Sequence, residues 1–125
     1  MTVVDTSALI DALTGPKRSA AKLRSLIESG ERLTTTTLVL YEWWRGPRNE
    51  QELRAQEALL PTGKAVQFGA EQAKVAARFY GEVSRPRGRE LDLAIAACAI
   101  THAAALWSLN REDFKDIPGL KLVEF

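Results

Sequence analysis

Short apolar or β-branched runs alternate along this chain with longer segments whose apolar residues recur every three to four positions. The first pattern is typical of buried strands, and the second of helices with one apolar face. Strands are predicted at residues 2–4, 32–36, 65–68, 105–109 and 120–125, and helices from residue 8, from Pro16, and at 38–46, 49–60, 70–83 and 91–104. Because strands and helices alternate, we expect an α/β fold with helices on both faces of a central, mainly parallel sheet.

Composition limits the classes of protein to which this chain can belong. Its 125 residues are 46% apolar and 26% charged, which is typical of one globular domain, here residues 1–125, with a buried core. The 17 basic and 16 acidic residues give a net charge of +1, so any contact with nucleic acid must depend on local charge.

Cysteine and histidine are each present once, as Cys98 and His102. These counts exclude an internal disulfide and every zinc site built from several histidines or cysteines. No secretory signal is visible at the start, and the apolar stretch 91–109 contains Asp92 and His102. We therefore expect a cytoplasmic protein without a membrane span, and structural roles for Cys98 and His102.

Three acidic residues stand in apolar surroundings. Asp5 ends the first predicted strand, whereas Glu42 and Asp92 each have apolar neighbours three and four positions away on a predicted helix. A buried carboxylate is costly unless a cation accompanies it. Asp5 follows the carboxyl end of a strand, where ligands bind in open parallel sheets, and the other two acids could converge on it. Carboxylates without histidine or thiolate favour Mg²⁺ or Mn²⁺.

Each acid taken alone also has an ordinary structural interpretation. Asp5 could cap a helix, Glu42 could lie on the polar side of an amphipathic helix, and Asp92 could stabilise a helix start. A structural ion pair with Arg45 or Arg89 is the other source of positive charge. The occurrence of all three acids together favours the metal site.

The chain resembles the VapC toxins of the PIN-domain ribonucleases over nearly its whole length. The resemblance depends on the order and spacing of four motifs: VVDTSALI at 3–10, YE at 41–42 with Gly46, DLAIAA at 92–97, and NREDF at 110–114 followed by IPGL at 117–120. It implies a three-layer α/β/α PIN-like domain with Asp5, Glu42, Asp92 and Asp113 as the acidic site. It further implies an endoribonuclease that uses Mg²⁺ or Mn²⁺ to activate water, works as a homodimer and is inhibited by a VapB-like antitoxin.

Other residues are assigned around this acidic site. Thr6 and Ser7 could orient Asp5 or a bound water, and Asn110 is a polar neighbour of the fourth acid. Arginines flank the acids on both sides in the sequence, and we expect them to hold RNA phosphates beside the metal. These are Arg45, Arg48, Arg85, Arg87 and Arg89. Trp43 and Trp44 are adjacent on one helix and cannot face the same way, so one of them is expected in a groove that binds the antitoxin.

Three other functions compete with this interpretation. The same acids could support a metal-dependent nuclease acting on structured DNA, although no DNA-binding extension is visible. A receiver-like phosphoacceptor domain would need paired acids after the first strand and a lysine near the last strand, and neither is convincingly placed. A binding module without catalytic activity is disfavoured by the intact acids.

Overall fold

The computed structural model describes all residues from 1 to 125, and its helices and strands alternate as the hydrophobic pattern predicts. The strands are β1 (Thr2–Val4), β2 (Leu33–Thr34) and β3 (Ala105–Trp107). The helices are α1 (Thr6–Leu13), α2 (Ala20–Glu28), α3 (Thr37–Arg45), α4 (Glu50–Leu59), α5 (Ala70–Glu82) and α6 (Glu90–Thr101), with short 3-10 helices at Thr62–Lys64 and Arg111–Asp113.

The sheet is parallel and has the order β2-β1-β3. Thr2 pairs with Leu33 on one side and with Ala105 on the other, so β1 is the central strand. Helices pack on both faces, and the predicted three-layer α/β/α fold is confirmed. Since all three strands run the same way, their carboxyl ends meet at one edge of the sheet.

Four predicted strands are shorter in the structure, among them 105–109, which ends at Trp107. Residues 65–68 contribute one parallel bridge, Thr36 with Val66, and residues 120–125 contribute one, Leu106 with Leu122. β2 ends early because the Thr35 hydroxyl donates a hydrogen bond to the Val4 carbonyl and the Thr36 hydroxyl accepts one from Val39, which caps α3. The threonines therefore turn the chain out of the sheet and into the next helix.

The second helix begins at Ala20, so the prediction that it starts at Pro16 is wrong. Gly15 and Lys17 both have positive φ angles, +56° and +54°, which no right-handed helix contains. The Ser19 hydroxyl donates to the Asp11 carboxylate at 2.6 Å and ties this turn to α1. By contrast, the predicted start of α4 is confirmed, because Asn49 and Glu52 form a reciprocal capping box.

The core includes the region where α6 packs against α3 and β3. Ile95, Trp43 and Leu106 are fully buried there, and Cys98 is buried on the same helix as Ile95. Five of the seven buried residues of α6 are small enough to pack closely, which is why the helix tolerates burial along most of its length: Ala94, Ala96, Ala97, Cys98 and Ala99. None of the helices has the length and apolar character needed to cross a membrane.

Candidate active site

Asp5 lies in the junction between β1 and α1, at the carboxyl edge of the sheet. Asp5 is only 4% exposed, and its carboxylate makes no capping hydrogen bond to α1. Instead Oδ2 accepts hydrogen bonds from Ser108 Oγ at 2.7 Å and from Ser7 Oγ at 3.2 Å. Burial raises the pKa of Asp5 above its ordinary value, and the hydrogen bond from Ser108 opposes that rise.

Glu42 projects from α3 toward α1. Its Oε1 accepts a hydrogen bond of 2.6 Å from Thr6 Oγ1, and its Oε2 lies 3.6 Å from Arg45 Nη2. The Thr6 contact joins residues 36 positions apart in the sequence. The hydrogen bond from Thr6 fixes Oε1 of Glu42 at the pocket. The ion pair with Arg45 is half-exposed and restrains Glu42 less strongly.

Asp92 stands in the first turn of α6. The pKa of Asp92 is raised to about 6, mainly by burial and also by the negative charges of Asp5, Asp113 and Glu42, while the positive charge of Arg89 opposes the rise. This set of neighbours shows that all four predicted acids act electrostatically on one region, although they come from four separate segments of the chain.

A cavity of about 600 Å³ opens at this point. The structure brings Asp5, Glu42 and Asp92 together on its wall, with most of the other residues assigned from the sequence. The remaining lining residues are Thr6, Ser7, Ile10, Arg45, Gly46, Arg48 and Asn110.

Asp113 is not part of that wall. It is exposed on the 3-10 helix Arg111–Asp113, and its backbone carbonyl accepts a hydrogen bond of 2.9 Å from Arg89 Nη2. Its side chain is nevertheless close enough to raise the pKa of Asp92. Asp113 therefore lies at the rim of the pocket, whereas Asn110 lies in it.

The donor chemistry of the pocket fits a hard divalent cation. Its acids are carboxylates alone, two of them have raised pKa values, and only Glu42 has a basic partner on the wall, Arg45. No three acidic, histidine or cysteine side chains are drawn together around a single point in the conformations present. The pocket thus has the ligands and the uncompensated negative charge for Mg²⁺ or Mn²⁺ without a closed coordination shell.

The arginines assigned to RNA occupy different environments. Arg45 and Arg48 line the pocket, and Arg85 and Arg87 are exposed in the loop before α6. Arg89 is 19% exposed and forms a two-pronged ion pair with Asp116, at 2.6 and 3.0 Å. The expected contact of Arg89 with RNA stays a prediction, and in the fold its guanidinium is paired with Asp116.

The two tryptophans divide as adjacent helical residues must. Trp43 is 0% exposed and belongs to the core, whereas Trp44 is 49% exposed on the outer side of α3. This corrects the expectation for Trp43, which no partner can reach. Trp44 alone is available to a second protein.

Ser108 is the functional residue that the sequence analysis did not assign. It follows β3 directly. Its hydroxyl donates a hydrogen bond to Asp5 and accepts one of 3.0 Å from the backbone N–H of Asn110. A signal was present, since Ser108 is the first polar residue after the apolar pair Leu106 and Trp107 of a predicted strand. Only the strand order, which places β3 beside β1, shows that it meets Asp5.

Cys98 and His102 lie outside the pocket wall. Burial raises the pKa of the Cys98 thiol to about 11, so the reactive thiolate is scarce at neutral pH. His102 is exposed at the end of α6, with Nδ1 3.1 Å from the Cys98 carbonyl. Both positions agree with structural roles.

The fold and the pocket define a class of protein: a parallel α/β domain with an acidic site at the carboxyl edge of its sheet. The sequence model of the PIN domain matches residues 2–120. Ribonuclease VapC19 of Mycobacterium tuberculosis (strain H37Rv) is 32% identical over 123 residues, which cover 97% of this chain and 98% of that protein. The chain belongs to the PIN-domain family and, within it, to the VapC group.

Solved structures show the same fold. VapBC2 from Rickettsia felis, bound to a DNA fragment from its promoter, matches with a TM-score of 0.73 and 22% identity over 98% of this chain and 96% of that one. A toxin–antitoxin complex from Klebsiella pneumoniae matches with a TM-score of 0.75 and 23% identity over 96% and 95%. These matches agree with the parallel sheet and the helices described above.

Proposed function

We propose that this protein is the toxin of a toxin–antitoxin pair and an endoribonuclease that depends on Mg²⁺ or Mn²⁺. The observation that carries the proposal is the clustering of Asp5, Glu42 and Asp92 in one pocket with too little positive charge to neutralise them. The relationship to Ribonuclease VapC19 supports RNA as the substrate. The chain would act as a hydrolase of RNA phosphodiester bonds.

Asp5, Glu42 and Asp92 would hold the metal. When bound, such an ion lowers the pKa of water and stabilises negative charge on the scissile phosphate. The chain itself fixes the ligands: the hydroxyls of Ser108 and Ser7 hold the Asp5 carboxylate, and Thr6 holds that of Glu42. Water activated by such an ion needs no histidine general base, which fits a pocket wall without histidine.

The fourth acidic position is assigned to Asp113, with Asn110 as its polar neighbour. Asp113 lies at the rim and acts on Asp92 through space, and the backbone N–H of Asn110 donates a hydrogen bond to Ser108 Oγ. In this assignment Asp113 completes the site when substrate and metal are present.

RNA would reach the acids along arginine side chains. Arg45 and Arg48 stand on the pocket wall, and Arg85 and Arg87 are exposed in the loop that leads into α6. Positive charge at these places offsets the repulsion between the carboxylates and the phosphates of the substrate. Arg89 would contribute least to this contact, because its guanidinium is already paired with Asp116.

This toxin would form a homodimer in the cytoplasm. A VapB-like antitoxin would bind it and keep it inactive. Solved relatives of the same fold are toxin–antitoxin complexes. On this chain the outer side of α3 exposes two aromatic residues one helical turn apart, Tyr41 and Trp44. Exposed aromatic side chains are favoured anchors for protein partners, so we assign the antitoxin contact to Trp44.

The test is cleavage of a mixed RNA pool by antitoxin-free protein over a titration of Mg²⁺ and Mn²⁺. We expect cleavage that EDTA abolishes and that Asp5→Asn lacks while remaining folded by circular dichroism. Single-stranded and structured DNA are assayed in parallel. Cleavage of DNA without cleavage of RNA would show that DNA is the substrate. Absence of cleavage of both by folded wild-type protein would refute the proposed nuclease activity.

A further inference from the structure

The Arg48 side chain is held in one conformation by three contacts. Nε donates a hydrogen bond to the Trp43 carbonyl at 3.0 Å, and Nη1 donates one to the Pro47 carbonyl at 3.1 Å. The guanidinium also lies over the Trp43 ring, with 4.4 Å between Cζ and the ring centroid. A side chain fixed in this way loses little conformational entropy when it binds a ligand.

Arg48 also has free donors and an uncompensated charge. A guanidinium has five N–H groups, and two of them are used here, which leaves three without a protein acceptor. Arg48 forms no ion pair, whereas Arg45, the other arginine on the wall, lies 3.6 Å from Glu42. Arg48 is thus the one cation on the wall of the acidic pocket that has no acidic partner.

Gly46 makes this position possible. A Cβ atom placed on Gly46 would lie 2.7 Å from Arg48 Nη2 and 3.1 Å from its Cζ. The φ angle of Gly46 is −86°, which any residue can adopt, so the backbone does not require a glycine. The absence of a side chain therefore serves the close approach of the guanidinium.

We propose that Arg48 is a preorganised phosphate-binding residue, and that Gly46 is needed because it lets the guanidinium lie on the pocket wall. The ligand is a phosphodiester of the RNA, held beside Asp5, Glu42 and Asp92. This inference rests on the proposed ribonuclease function. Arg48 also places positive charge at the last turn of α3, which explains the bond from Nε but not the free Nη donors.

The experiment measures binding of a labelled single-stranded RNA of random sequence in EDTA, so that binding is observed without cleavage. Affinity is recorded against salt for wild type, Arg48→Gln, Gly46→Ala and the double variant. The matched control is Arg54→Gln, which removes the same charge from an exposed residue paired with Glu50 on α4.

Arg48→Gln is expected to reduce the slope of log affinity against log salt by about 0.7, the contribution of one phosphate contact on a single strand. Gly46→Ala displaces the guanidinium and should reduce the slope similarly, and the double variant should bind like Arg48→Gln alone. Arg48→Lys keeps the charge and should restore part of the slope, while Arg54→Gln should match wild type.

Two results would overturn the inference. One is an Arg48→Gln variant that unfolds at a lower temperature but keeps the wild-type slope of log affinity against log salt. Arg48 would then only cap the end of α3. The other is a Gly46→Ala effect that persists in full when Arg48 is already replaced. If wild type cleaves RNA in either case, only this inference fails; if wild type neither binds nor cleaves RNA, the proposed function fails with it.

Discussion

Ser108 Oγ donates a hydrogen bond of 2.7 Å to Asp5 Oδ2, and this bond joins residues 103 positions apart in the sequence. Each residue directly follows a strand, Asp5 after β1 and Ser108 after β3, and these strands are neighbours in the sheet. The bond is therefore a consequence of parallel pairing: the two side chains meet because both strands end at the same edge.

Ser108→Ala removes this bond from a buried carboxylate. A hydrogen bond to a charged group contributes about 1.5–3 kcal/mol, so we expect cleavage to fall by roughly tenfold or more. Ser108→Thr keeps the hydroxyl and should retain most of the activity. RNA cleavage at saturating Mn²⁺ measures both, and equal activity of Ser108→Ala and wild type would show that Ser7 alone positions Asp5.

Thr6→Val tests the hold on Glu42 with almost no change in shape. We expect a higher Mn²⁺ concentration at half-maximal cleavage, because Glu42 loses the donor that fixes Oε1 at the pocket. Thr6→Ser keeps the donor and is the matched control. A Mn²⁺ requirement that is the same in all three proteins would contradict a positioning role for Thr6.

Asp92→Asn should stabilise the metal-free protein near pH 7. Unfolding returns the pKa of Asp92 from about 6 toward 3.8, so between these values the folded state holds a proton that the unfolded state lacks. The wild-type free energy of unfolding therefore falls, through this group, as pH rises across that window. Asparagine removes this loss.

We expect Asp92→Asn to exceed wild type by about 1–2 kcal/mol at pH 7, a range reduced for the partial exposure of the carboxyl, and by almost nothing near pH 4. Urea unfolding in EDTA at several pH values measures the difference. A gap that is constant with pH would show that ionisation of Asp92 is not its cause.

Arg89→Gln and Arg87→Gln should affect different properties, the first mainly stability and the second mainly RNA binding. Loss of Arg89 breaks a two-pronged pair with Asp116 and should lower stability by about 1–2 kcal/mol. Loss of exposed Arg87 should change stability by less than about 0.5 kcal/mol and weaken the salt dependence of RNA binding. Thermal unfolding measures the effect on stability, and RNA titrations measure the effect on binding. An Arg89→Gln variant that is as stable as wild type but binds RNA more weakly would show that Arg89 contacts RNA.

Trp44→Ala should weaken antitoxin binding without affecting the fold. Truncation of an exposed anchor typically costs an interface about 2 kcal/mol or more, whereas Trp43→Ala should destabilise the fold by about 3–5 kcal/mol. Affinity for the antitoxin and thermal unfolding of the free toxin measure the two effects. Unaltered affinity of Trp44→Ala would place the antitoxin elsewhere.

The order of elements and the identity of the three central acids could be predicted from the sequence, because both follow from local pattern. Apolar periodicity defines the helices, and a carboxylate in an apolar run is costly enough to stand out, as at Asp5 and Asp92. Strand ends were less predictable, since Thr35 and Thr36 make side-chain hydrogen bonds that end β2 early.

Tertiary structure alone decided which side chains share the pocket and which charges are free. Charge is a property of each residue, but its availability depends on partners distant in sequence: Asp116 neutralises Arg89, whereas Arg48 lies on the pocket wall with no acidic partner. Burial divides Trp43 from Trp44 in the same way. The fold and the identity of the acids follow from local sequence pattern. The use of each group depends on long-range packing, because contacts between residues distant in sequence produce no periodic pattern along the chain.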